Sequence, residues 1–367
     1  MAIHKVPFVN LSEQYRSLRT ELLAAFDDVG QSGNYILGEP VTAFEQNISS
    51  YIGTDQTIGV GNGSDALFLI MKGLGIGPGD EVITAANSFI ASAWAIVATG
   101  AKLVLCDVCD DLNIDPVDIK RKISERTKAI IPVHLTGRPA KMREISSLAT
   151  DLDISIIEDA AQAIGAEYFS KKVGSLGIAA AFSLHPLKNL GVYGDGGFIT
   201  TSDPELARTI RLLRNHGLKT RDECVLWGYN SRLDSMQASF ASIKLKYLDK
   251  WNNRNREIAE YYTSELKGIV ELPLENAEER SVYHNYVIRF TKRDELIAHM
   301  ERKGVEAKIH YPVPIHLQAP AKKDGYKLGD FPNSERLSAE ILSLPIYPEL
   351  SDTDVQHVAS AVKSYFG

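Results

Sequence analysis

The chain is short of cysteine, of clustered positive charge and of long apolar runs, and each shortage removes a class of protein. Its 367 residues hold three cysteines, Cys106, Cys109 and Cys224. That is too few for a disulfide framework and fits a reducing compartment. Lys and Arg number 40 against 47 Asp and Glu, a net charge of −7, and they gather into no basic arm or tail, so a nucleic-acid partner is not expected. No apolar run reaches transmembrane length, and the opening MAIHKVPFVNLSEQYRS lacks the apolar core of a signal peptide. No P-loop signature occurs, and the Cys106–Cys109 C-x-x-C has no second pair to complete a zinc site. The expectation is a cytoplasmic protein with no membrane partner and no metal.

What is present, 44% hydrophobic and 24% charged residues, is ordinary for a globular protein. The length suggests a large domain with a smaller companion. Between Thr57 and Thr201 short apolar runs (Glu81–Thr84, Lys102–Val108, Ala129–His134, Ile154–Glu158, Gly197–Thr201) alternate with helical spacing such as Met142, Ile145, Leu148 and Leu152. Alternation of this kind predicts an α/β fold with a largely parallel sheet covered on both faces, and ligands at the carboxyl ends of its strands. An amphipathic stretch over Ser12–Val29 precedes that region. A helix from Ser235 to about Leu266 and a capped tail beginning at Ser351–Asp354 follow it. The boundary is placed near residue 250, giving domains 1–250 and 251–367, with an N-terminal segment that could pack on the smaller one.

Three stretches carry chemistry. In AFSLHPLKNLGVYGDGG, Lys188 sits in a loop shaped by Pro186 and four glycines; alone, such a lysine is more often solvent-facing than catalytic. In EDAAQA an apolar run ends on Asp159. The bland reading is a helix N-cap, and the sharper one is a partner for a protonated heterocycle nitrogen. GVGNGSDAL puts Gly63 and Ser64 at the start of an apolar helix, where free N–H groups and a hydroxyl suit an anion. A Rossmann reading fails there because Ser64 stands where its third glycine belongs. A Schiff-base lysine and an aspartate on a pyridinium nitrogen are what pyridoxal phosphate (PLP) asks of a protein.

With GIGPGDEVITAANSF and GYNSRLDSMQA added, these motifs occur in an order and spacing that resembles the DegT/StrS family of nucleotide-sugar aminotransferases, over nearly the whole chain. The resemblance implies the aspartate-aminotransferase fold, with a seven-stranded, mostly parallel sheet in the large domain and a smaller C-terminal α+β domain. It implies that Lys188 forms the Schiff base with pyridoxal 5'-phosphate, that Asp159 pairs with the pyridinium nitrogen, and that Gln162 meets the ring hydroxyl. Gly63, Ser64 and Ser183 would hold the phosphate, and Phe89 would lie over the ring. His185 would face the substrate. Asn230 would reach the phosphate of a partner subunit, making the active site a property of a homodimer. Tyr311, His316 and Gln318 would approach the nucleotide diphosphate.

The substrates so implied are L-glutamate and a nucleotide-linked keto-sugar, with a dTDP-3-keto-6-deoxyhexose favoured by the GVGNGSDAL form of the phosphate motif. A C-4 aminotransferase on a UDP- or dTDP-4-keto-sugar, a sugar dehydratase and a cofactor-binding regulator are the alternatives. Lys188 counts against the dehydratase, whose usual residue there is histidine. The chain departs from the family pattern at Leu187 and Thr136, the second of which bears on the substrate side. His134 reads as structural, His216 as a loop residue, and Trp94, Trp227 and Trp251 as packing residues.

Overall fold

A computed structural model describes residues 4–150 and 152–367. Helices α1 (Leu11–Ser32) and α2 (Glu39–Ile52) lead into strand β1 (Gln56–Val60), helix α3 (Gly63–Gly73) and strand β2 (Glu81–Ala85). Next come α4 (Ile90–Thr99), β3 (Lys102–Cys106), α5 (Pro116–Lys122), β4 (Thr127–Ile131), α6 (Met142–Ala149) and β5 (Ser155–Asp159). Two-residue strands β6 (Glu167–Tyr168) and β7 (Lys171–Lys172) precede β8 (Ala179–Ser183) and β9 (Gly197–Thr201).

The large sheet has seven strands in the order β1-β9-β8-β5-β4-β2-β3. Strand β9 runs antiparallel to both neighbours; the other pairs are parallel. Strands such as β2, buried at every residue, read as unbroken apolar runs because helices cover both faces. Strands β1 and β8 were not among the expected runs. AAAFS holds alanines in place of the β-branched residues that mark a strand, and QTIGV, though it holds Thr57, Ile58 and Val60, is short and interrupted by Gly59.

Helix α7 (Pro204–Leu213) follows β9, capped by Asp203, whose side chain accepts from the N–H groups of Glu205 and Leu206. The helix expected over Ser235–Leu266 is two, α8 (Ser235–Leu245) and α9 (Leu248–Leu266). At Lys246 and Tyr247 the backbone bonds reach back three residues, to Ile243 and Lys244, a tightened turn that re-aims the chain. Leu248 packs in a core shared with β8 and β9, while Ile258, Tyr262 and Leu266 of the same helix pack in a separate core of C-terminal residues.

The C-terminal part adds β10 (Glu279–Arg280), β11 (Tyr286–Arg289), α10 (Arg293–Arg302), α11 (Ala319–Lys323), α12 (Pro332–Glu340), β12 (Ile341–Leu344) and α13 (Asp352–Lys363). Strands β11 and β12 pair antiparallel and share a core with α9, α10 and α13. Val6 pairs with Val305 and joins that core, which brings the N-terminal segment onto the C-terminal part of the chain. The two parts are also clasped by a polar contact. Asp107, just after β3, accepts from Ser334 N–H at 2.8 Å, from its hydroxyl at 2.7 Å and from Asn333 N–H at 3.0 Å. A large-domain carboxylate thus caps the N-terminus of α12.

Candidate active site

The carboxyl ends of β5 and β8 bring the sequence-predicted groups together. Helix α3 is capped by Asn62, whose side chain accepts from Asp65 N–H at 2.8 Å, so Gly63 and Ser64 form its first turn. Gly63 lies against the end of β8: a Cβ there would stand 2.9 Å from Ser183 Cβ. Gly197 closes the other side, where a Cβ would come within 2.4 Å of the Asn62 carbonyl carbon. The result is a cradle of backbone N–H groups with the Ser64 and Ser183 hydroxyls beside it, the donor set an anion needs. Behind it, Ser231 accepts from Gly61 N–H at 3.0 Å and donates to Asp65 at 2.7 Å.

Asp159 ends β5 and is buried. Its carboxylate accepts from Ser92 Oγ at 2.7 Å and from Ala161 N–H at 3.2 Å, and among the described residues no ion pair joins it. Burial raises its pKa above the usual carboxylate range, against the opposing pull of Ser92 and Lys188. Lys188 lies on the loop joining β8 to β9. Its pKa is pushed down to about 8 by burial, opposed by the charge of Asp159. The amine hydrogen-bonds to no described residue. A buried carboxylate without a cation and a part-buried amine without an acceptor are two groups awaiting a third.

The loop is anchored through the residue after the lysine. Asn189 donates to Asn252 at 2.8 Å and to the Val282 carbonyl at 3.3 Å, and its amide oxygen meets His284 Nδ1 at 3.1 Å. His284 faces Lys188 from the smaller domain, and burial with that charge holds its pKa well below the histidine range. His310 is similarly lowered, to about 4. Sequence reasoning missed Ser92, Asn189, His284 and His310. Ser92 carried a signal, since it lies three residues after Phe89 and so one helical turn on; the two histidines carried none.

Gln162 accepts from Thr136 N–H at 2.7 Å, and its Nε2 donates to Tyr311 Oη at 3.2 Å. The ring of Tyr311 lies 5.8 Å from that of Phe89, which is 53% exposed. His185 is exposed, with Nδ1 accepting from Leu187 N–H at 3.3 Å, and its pKa is lowered by burial and by Lys188. His316 is fully buried, with Nε2 2.9 Å from Glu335, so its ring is enclosed where an open binding surface was expected. Gln318 donates to the Val313 carbonyl at 3.2 Å. Asn230 is exposed, bridged through its backbone to Asn215.

His134 is fully buried between Glu158 and the Ala140 N–H, and Trp251 is buried against Tyr247. Trp227, expected to pack, is 94% exposed, and Trp94 is half-exposed; in the single chain neither is enclosed. Cys106 is buried in β3, and Cys109 rests 3.4 Å from Lys141 Nζ. No helix among the described residues is long and apolar enough to cross a membrane.

Residues 16–363 match the DegT/DnrJ/EryC1/StrS aminotransferase family. The chain is 44% identical over 366 residues to a pleiotropic regulatory protein of Geobacillus stearothermophilus, covering 98% of each. It is 44% identical over 362 residues to the dTDP-3-amino-3,6-dideoxy-alpha-D-galactopyranose transaminase of Aneurinibacillus thermoaerophilus, covering 98% of this chain and 99% of that one. The crystal structure of S. venezuelae DesV in complex with a ketimine intermediate superposes with a TM-score of 0.97 at 42% identity, covering 98% of both chains. Other solved relatives hold the cofactor PMP or are PLP-forms. The family model covers nearly the whole length described above, and the chain belongs to the DegT/DnrJ/EryC1/StrS aminotransferase family.

Proposed function

We propose that this chain moves an amino group from L-glutamate to C-3 of a dTDP-linked 3-keto-6-deoxyhexose, in the cytoplasm, toward a deoxyamino sugar for O-antigen, another surface glycan or a natural product. The reaction class follows from the family: this is a PLP-dependent sugar aminotransferase. The finer reading rests on the A. thermoaerophilus transaminase, which matches over nearly all of both chains. Within the site, what supports the reaction class, though not the choice of sugar, is the pair of Asp159, lacking a cation, and Lys188, with its pKa depressed to about 8.

The residues fit the cofactor, which when bound supplies an electron sink for charge developing at the substrate carbon. The chain's own groups do the rest. The first turn of α3 and the hydroxyls of Ser64 and Ser183 hold the phosphate. Asp159 holds a proton at the pyridine nitrogen. Phe89 covers the ring, and Gln162 meets its hydroxyl. Lys188, deprotonated readily because its charge is poorly solvated, would hold the cofactor and, once the donor's amine has displaced it and freed its Nζ, would carry a proton there. His185 borders the substrate side, as do Tyr311 and Gln318, while His316 braces their segment through Glu335.

The partner of this chain is a second copy of itself, with Asn230 of each serving the other's phosphate site. Exposed Trp227, Trp94 and Tyr229 support this assignment, since aromatic side chains are enriched where surfaces associate. Light scattering then reads a dimer. Mixing Lys188→Ala with Asn230→Ala protein restores activity only if sites are shared.

The visible spectrum of purified protein, before and after L-glutamate, tests donor and cofactor together. A yellow band that bleaches on adding the donor is the expected result. Separate assays with dTDP-3-keto and dTDP-4-keto sugars then read the carbon, and amination of only the 4-keto sugar overturns the C-3 assignment. A regulator is the second reading, favoured by the G. stearothermophilus relative; a yellow band that ignores glutamate would keep the cofactor and move the weight to another donor, a dehydratase or a regulator.

A further inference from the structure

The loop that carries Lys188 between β8 and β9 is closed at its base. Val192 N–H donates to the Leu184 carbonyl at 2.8 Å, and Leu184 N–H donates to the Gly196 carbonyl at 2.8 Å. The first stem of the loop leaves Ser183 at the phosphate cradle, and Lys188 N–H reaches back along it to the His185 carbonyl at 2.8 Å. The second stem, Gly191 to Tyr193, is held from outside the loop, by one face of helix α8.

Gln237, from the GYNSRLDSMQA stretch, grips both backbone groups of Tyr193. Its amide oxygen accepts from Tyr193 N–H at 2.9 Å, and its Nε2 donates to the Tyr193 carbonyl at 3.3 Å. Two turns along the same face, Lys244 Nζ donates to the Gly191 carbonyl at 2.6 Å and lies 4.1 Å from the centre of the Tyr193 ring. The Gly191 carbonyl and Val192 N–H belong to one peptide group, so that group is held at both ends. The ammonium polarises its carbonyl and thereby strengthens its N–H as a donor to Leu184. Gly191 leaves no room for slack, since a Cβ there would stand 2.5 Å from the Pro186 carbonyl oxygen of the first stem. Lys244 is only 2% exposed, and among the described residues no carboxylate forms an ion pair with it. Burial pushes its pKa down to about 8, opposed by the charge of Glu349. A buried ammonium without a counter-charge is costly, and an apolar side chain could fill the same space; what the amine adds is its grip on Gly191.

We infer that Gln237 and Lys244 are positioning residues, a clamp from α8 on the second stem of this loop that sets Lys188 against the phosphate cradle. The inference rests on the proposed cofactor site and goes beyond it, because both residues act through the backbone of Gly191 and Tyr193. The clamp fixes one end of the loop while Ser183 fixes the other, so the amine is delivered at a set distance from the bound phosphate.

Two probes separate holding from positioning. Pyridoxine 5'-phosphate has no aldehyde, so its affinity reads the cradle alone. Pyridoxal 5'-phosphate followed by borohydride reads the bond between Lys188 Nζ and the aldehyde carbon, which forms as the aldehyde oxygen leaves as water. In Lys244→Met and Gln237→Met, pyridoxine phosphate should bind within about twofold of wild type, while the adduct trapped at Lys188, followed by mass spectrometry, should accumulate about tenfold more slowly. Lys244→Arg keeps the charge and should recover part of that rate. Equal losses with both probes would mean that α8 only supports the fold, and an unchanged trapping rate would mean that the loop needs no clamp; either result overturns the inference and leaves the cofactor reading standing. Should Lys244→Met not fold, Gln237→Met carries the same comparison. If wild-type protein traps nothing at Lys188, the cofactor reading fails and the inference with it.

Discussion

Glu158 and Asp159 are neighbours on one strand, both carboxylates and both buried, yet the chain treats them oppositely. Glu158 accepts from the N–H groups of Leu176, Gly177 and Gly174 at 2.7–2.8 Å and faces His134 Nε2 at 3.0 Å. His134 Nδ1 accepts from Ala140 N–H, which places the ring proton on Nε2 and aims it at Glu158. Asp159, on the other face, receives one hydroxyl and one long N–H bond. A carboxylate that the fold satisfies in full is part of the scaffold; one left short belongs to a ligand.

Exchanging the two behaviours gives the largest effects. Asp159→Ala should lower turnover about a thousandfold, the equivalent of ~4 kcal/mol of transition-state stabilisation, in a protein that melts no lower than wild type. Near-normal turnover in steady-state kinetics would end the assignment. Glu158→Ala should do the reverse on stability, costing about 3–5 kcal/mol by leaving a group of donors buried without an acceptor. Denaturant titration measures that loss.

The contrast can be sharpened by pH. Burial raises the Asp159 pKa in the folded chain, so that chain binds more protons there than the unfolded one. Stability of the unloaded protein should therefore fall as pH rises from the unfolded to the folded value. Asp159→Asn should lack this slope in melts taken across acid pH. For Lys188 the folded pKa is depressed to about 8, and its reaction with a carbonyl reagent in the unloaded chain should be half-maximal near that pH. A midpoint near the ordinary lysine value would mean that the amine is not buried in solution.

Smallest is the effect at Thr136, whose φ is 63°. Glycine relieves the left-handed strain and keeps the N–H, at the expense of greater unfolded-state freedom, and should change stability by less than about 1 kcal/mol, in the stabilising direction. A marked fall in melting temperature would mean that the threonine side chain, and not its backbone, is what the site uses.

Asp159 was legible because an apolar run ending in an acid is a strand delivering a carboxylate to a ligand edge. Lys188 was legible only beside Asp159, because a lysine in a loop shaped by proline and glycines is by itself more often solvent-facing. The phosphate cradle could be read because helix starts carry their own punctuation. His284 and His310 could not be read, since they reach Lys188 from the smaller domain by long-range packing and carry no local period. Strand β8, three alanines with Phe182 and Ser183, gave too weak a pattern even though it ends at the site. The break at Lys246–Tyr247 lacks Gly or Pro and arises from how α8 and α9 pack.

The clasp between Asp107 and α12 bears on how the chain can be divided. A helix start that borrows its cap from across the seam is not self-sufficient, and neither is the acid that serves it. A fragment ending near residue 250 would bare a buried carboxylate, and one beginning there would expose the uncapped N–H groups of α12. Each half would meet the solvent with the polar debt that the other now settles, so the two domains are expected to melt as one unit.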